Sequence, residues 1–87
     1  MGTPDMVIEI LSDSTRSKDM VDKLNTYMLS GVREYWIVDP KQETVIVYQF
    51  VNRQIDSYKT FEEGDTIQSK AHQGLMADVD SLFARIY

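Results

Sequence analysis

The chain is 87 residues long, 43% hydrophobic and 26% charged, which suits one small globular domain and leaves no room for a second. It has no cysteine, which excludes disulfides, a thiolate nucleophile and a zinc-thiolate site, and its net charge of −5 argues against a general nucleic-acid binder with a basic face. The apolar runs are too short to span a membrane and Met1-Gly2-Thr3 has no signal-like core, so a cytoplasmic protein without a membrane partner is expected.

Residues 5–11 read as a strand, dominated by Met, Val, Ile and Leu, preceded by Pro4 and closed by Ser12-Asp13-Ser14. Because the run is apolar on both faces, it predicts an interior strand of a parallel or mixed sheet. Period-two alternation puts Asp5, Val7, Glu9 and Leu11 on one face and Met6, Ile8 and Ile10 on the other. Residues 15–30 read as a helix, with Asp13 or Ser14 as N-cap. Its buried stripe is Met20, Val21, Leu24, Tyr27 and Met28, and Gly31 stands at the C-terminal cap. Arg16, Asp19 and Lys23 flank the stripe along one edge, roughly 40–80° from its nearest members at about 100° per residue.

Glu34 to Asp39 is a second strand, ended by Pro40, and strand-helix-strand over this length predicts a crossover between parallel strands. Thr44–Phe50 and Gln54–Phe61, joined through Asn52-Arg53, form an antiparallel hairpin at the sheet edge. A short strand near 66–69, a loop through Gly74 and a last helix near 78–84 complete the chain. The fold class is α/β: a single domain over 1–87 with a mixed sheet of about four strands, one main helix and a short C-terminal helix.

Glu9 is the residue that asks for an explanation. An ionised carboxylate in an apolar strand costs several kcal/mol unless it is paired, protonated or bound to a metal. An ion pair to Arg16, Lys18 or Lys23 is one answer, and metal ligation is another. Asp5 shares the face of Glu9 but sits ~13 Å along the strand at about 3.3 Å per residue. Two carboxylates that far apart do not share an ion whose ligands stand at ~2.1 Å. Asp5 therefore reads as a residue leading into the strand, Asp39-Pro40 as a turn starter, and Tyr35 and Trp36 as core or interface. His72 lies in a polar loop, and Glu62, Glu63 and Asp65 form a solvated turn. No phosphate loop, Ser-His-Asp set or dinucleotide fingerprint is present.

The run Pro4-Asp5-Met6-Val7-Ile8-Glu9-Ile10-Leu11-Ser12, followed by Ser14-Thr15, Lys18-Asp19, Lys23, Tyr27 and Gly31-Val32-Arg33-Glu34-Tyr35-Trp36-Ile37-Val38-Asp39-Pro40, resembles the Uma family of restriction-type endonucleases. Gly64-Asp65-Thr66-Ile67, Gly74-Leu75 and Val79-Asp80-Ser81-Leu82-Phe83 are similar to its closing segment. The resemblance implies a restriction-endonuclease-like core of the PD-(D/E)XK type and Mg²⁺-dependent hydrolysis of DNA. Glu9, matching the motif's second acidic residue, would be the metal ligand in the catalytic site, with Lys23 a migrated catalytic lysine in place of the one the motif puts at Leu11, and Arg16 a phosphate contact. It further implies that the chain matches the C-terminal half of a Uma-type nuclease domain. The upstream strand that supplies the first metal ligand, and part of the sheet over Ile8, Ile10 and Trp36, would then be lacking. An inactive isolated chain that associates into a homo-oligomer is the expectation. The alternatives are a non-catalytic interaction domain on a nuclease scaffold and a truncated remnant of a longer nuclease.

Overall fold

The computed structural model describes residues 2–12 and 18–86. The expected helix caps Asp13 and Ser14, and Arg16, lie outside the described residues. Eight elements follow one another: β1 (Met6–Ile10), α1 (Lys18–Ser30), β2 (Glu34–Asp39), β3 (Thr44–Val51), β4 (Gln54–Phe61), β5 (Thr66–Gln68), β6 (Met76–Asp78) and α2 (Val79–Ile86). The main sheet runs β1-β2-β3-β4, with β1 and β2 parallel and the remaining pairs antiparallel. The mixed α/β architecture is the one the sequence predicts. What the pattern missed is β6, which pairs with β5 as a separate two-stranded ribbon.

The sheet is sandwiched. On one face α1 lays Met20, Leu24, Tyr27 and Met28 over Val7, Leu11, Tyr35, Ile37 and Phe50. On the other, Ile67, Val79 and Phe83 from the ribbon and α2 close over Trp36, Val38, Val45 and Val47. β2 lies in the middle, buried along nearly its whole length, because an apolar strand with layers on both faces hides every side chain. Two expectations are corrected. β1 is not interior: among the described residues its one strand neighbour is β2. Trp36 does not lack cover; it is 2% exposed beneath the α2 layer, because the C-terminal segment folds back over it.

Local chemistry sets the turns. At the end of α1, Gly31 takes φ +96°, the Gly31 N–H donates to the Met28 carbonyl (3.3 Å) and the Val32 N–H to the Tyr27 carbonyl (3.2 Å). This is the Schellman arrangement, which needs a left-handed residue after the helix. Asn52 and Arg53 both have positive φ, the two-residue turn that matches hairpin twist.

A second glutamate is the most buried charge of the fold. Glu34, fully inaccessible, receives Trp36 Nε1 (2.7 Å), Gln49 Nε2 (2.9 Å), Ser69 Oγ (2.7 Å) and the N–H groups of Lys70 (2.8 Å) and Ala71 (3.2 Å). Burial alone would push its pKa up. The hydrogen bonds from Gln49, Ser69, Trp36 and the Lys70 amide outweigh burial and hold it below the ordinary glutamate value. No local pattern marks this role, because most of its donors come from segments far along the chain.

Two outcomes are expected. Gly31→Ala has open space for its methyl, so only the backbone conformation resists it, and urea unfolding should register a loss of about 1–2 kcal/mol. Glu34→Gln should cost about 2–3 kcal/mol at neutral pH, since charge-assisted bonds weaken and an amide cannot accept at both ends. A lowered folded pKa means that the Glu34 contribution is complete above the ordinary glutamate range and is lost as pH falls through the folded value. Wild-type stability should therefore drop more steeply on acidification than that of Glu34→Gln in parallel denaturation curves.

Candidate functional site

Glu9 leaves β1 on the face covered by α1, as alternation requires, and its side chain is 25% exposed. Across from it α1 presents Lys23 and Tyr27, four residues apart and so stacked on one helix face. Lys23 Nζ lies 3.2 Å from Glu9 Oε1, and the Tyr27 hydroxyl donates to the same oxygen at 3.3 Å. Oε2 has no hydrogen-bond partner among the described residues. The Tyr27 ring tilts against Tyr35 at 5.0 Å. Burial, then the charge of Glu9 and the neighbouring phenols of Tyr27 and Tyr48, push the Tyr35 pKa far up, so that phenol stays protonated.

The fold thus brings Glu9 and Lys23 together and adds Tyr27, which sequence reasoning placed in the buried stripe and not at the site. The i, i+4 spacing from Lys23 was the signal that could have found it. Asp5 is not part of this group: its carboxylate pairs with Arg33 Nε at 3.4 Å, and its carbonyl accepts the N–H groups of Arg33 and Glu34. Asp39 Oδ1 accepts the N–H groups of Lys41 and Gln42, a turn function. Arg16 lies outside the described residues.

A magnesium-type ion asks for several oxygen ligands. Among the described residues no three His, Asp or Glu side chains gather, Asp5 is engaged elsewhere, and the Lys23 ammonium already neutralises Glu9. These side chains alone do not fit such an ion. They form one carboxylate whose Oε1 is held, a cation beside it and a phenol that fixes its orientation. Because both charged partners keep contact with solvent, their pairing contributes little to folding. Lys23→Ala should cost no more than about 1 kcal/mol in thermal or urea unfolding, well below the penalty at Glu34.

The Uma2 family model, described as "Putative restriction endonuclease", matches residues 1–80. The fold aligns with a crystal structure described as "a putative nuclease belonging to DUF820", from Anabaena variabilis ATCC 29413. The TM-score is 0.73 and the identity 27%, over 100% of this chain and 48% of that one, so the chain spans about half the length of that relative. No curated protein matches the sequence. No helix among the described residues is long and apolar enough to cross a membrane. With residues 1–80 of 87 matched and a nuclease-like fold, the chain belongs to the Uma2 family.

Proposed function

We propose that this chain carries half of a nuclease site acting on the phosphodiester backbone of DNA, and that it does not cleave by itself. The observation that carries the reading is the Glu9–Lys23–Tyr27 group, half-open to solvent on an outer strand. Hydrolysis of a phosphodiester forms a bond from a water oxygen to phosphorus and breaks a phosphorus–oxygen ester bond, with negative charge building on the phosphoryl oxygens. Lys23 would face that charge, and the second oxygen of Glu9, Oε2, would take a hydrogen bond from the attacking water. Tyr27 holds the carboxylate in place for both. The Mg²⁺ that family membership suggests finds one carboxylate here and not a set, which is why cleavage is not expected from the chain alone.

In this reading the chain corresponds to the C-terminal half of a Uma-type nuclease domain, in keeping with the 48% of the solved relative that it covers. A second reading, a non-catalytic interaction domain, is favoured by one observation: Lys23 already satisfies the Glu9 charge internally.

Supercoiled plasmid incubated with the chain and Mg²⁺ is expected to stay intact, with Glu9→Ala no different. Robust cutting by the wild type that Glu9→Ala abolishes would show a complete site and overturn the half-site reading. In fluorescence anisotropy a labelled DNA duplex should bind weakly, in a salt-dependent manner, and Lys23→Glu should weaken it further. Absence of any salt-dependent binding at low ionic strength would favour the interaction domain.

A further inference from the structure

The two outer strands of the sheet are built differently. β4 is exposed along almost its full length, carries Asp56 and Lys59, and meets β3 through an irregularity at Gln49/Phe50. Charges and bulges of this kind deter further pairing. β1 has none of them: Met6–Ile10 contains no lysine and no proline, and its register with β2 is continuous. Its one charge, Glu9, faces α1, where Lys23 neutralises it. On the other face Ile8 and Ile10 are 51% and 54% exposed.

Among the described residues no strand pairs with the outer edge of β1 either. The Asp5 carbonyl accepts N–H groups from the start of β2, and the Leu11 N–H donates to the Val38 carbonyl. The N–H and C=O of a strand residue point to one edge and switch edges at the next residue. Val7 and Glu9 therefore share the direction of Asp5 and Leu11, and Met6, Ile8 and Ile10 turn their donors and acceptors to the free edge.

We propose that this edge pairs antiparallel with β1 of a second copy of the chain, about a two-fold axis at Ile8. Met6 then faces the partner's Ile10, Ile8 faces the partner's Ile8, and every outward N–H and C=O of β1 finds a partner. Other registers are poorer: sliding one way sets Ile10 against the partner's Pro4, which has no N–H, and sliding the other sets Met6 against the partner's Ser12, beyond the strand. The same register lines the exposed isoleucines and Met6 into one apolar row across the joint. The contact is self-complementary and closes as a dimer.

On the α1 face, Glu9 lies diagonal to the partner's Glu9, at ~7–8 Å. This part rests on the half-site reading above: the second carboxylate that one chain lacks comes from the other copy.

Sedimentation equilibrium of the wild type and Ile8→Lys, with oxidative cross-linking of Ile8→Cys and Ile55→Cys, tests the interface without reading cleavage. It can therefore fail while the nuclease reading stands, or hold while that reading falls. The wild type should shift from monomer to dimer with concentration. Ile8→Lys should weaken association by about tenfold or more with an unchanged circular dichroism spectrum. The chain has no native cysteine, so Ile8→Cys provides a single thiol on the axis. Directly paired Cα atoms ~5.5 Å apart suit a disulfide, so it should cross-link much faster than Ile55→Cys on the outer strand β4. A wild type that stays monomeric, as a β1 edge reserved for another polypeptide would give, overturns the proposal. So do a dimer that survives Ile8→Lys and equal cross-linking of the two cysteine variants.

Discussion

The constraint on which the rest depends is the sealed carboxylate of Glu34. It opens the central strand, accepts from the side chains of Trp36 and Gln49 within the sheet, and accepts from Ser69, Lys70 and Ala71 in the segment after β5. A buried charge costs several kcal/mol unless its hydrogen bonds are met, so the loop at 69–71 has one acceptable place. That place holds the ribbon and α2 over Trp36, Val38 and Val45, and so completes the second half of the core. A domain of this size has little apolar area to spare. One polar clamp that joins three segments does what a larger core would do elsewhere.

Glu34 and Glu9 are the same residue on neighbouring strands with opposite consequences. Glu34 has no solvent access and both oxygens occupied; it can stabilise but cannot meet a ligand. Glu9 has one oxygen held by Lys23 and Tyr27, keeps contact with solvent, and lies on a strand whose one strand neighbour among the described residues is β2. Burial of a charge thus marks architecture in this fold, and partial burial marks the candidate chemistry. The position of β1 explains the difference. An outer strand has room beside it for a substrate or another strand, and a central strand has none.

Much of the fold was legible because the chain's local signals agree with one another. Pro40 and the β-branched run before it mark β2, Asn52-Arg53 marks the hairpin, and Gly31 marks the end of α1. The alternation in residues 5–11 sorted Val7 and Leu11 from Met6, and the two core clusters divide them the same way. The Glu9 and Lys23 pairing was within reach, since a strand and the helix after it pack face to face. The status of β1 as an outer strand was not legible, because an apolar run looks alike whether its second neighbour is present or not. Nor was the clamp on Glu34, whose donors come from positions up to 37 residues away.

The sequence by itself determined the main strands, the helix between β1 and β2 and the sides of β1, because these follow from periodicity and short-range spacing; Val21, read into the buried stripe of α1, is instead exposed, and the nuclease reading of Glu9 and Lys23 came from family resemblance. Only the tertiary structure decided which glutamate is sealed and which keeps contact with solvent, that Tyr27 joins Glu9 and Lys23, that Asp5 is taken up by Arg33, and that β1 has one strand neighbour among the described residues. Each of those depends on contacts between segments distant in the chain. Solvent access and hydrogen-bond partners are properties of the packed fold, and no local pattern encodes them.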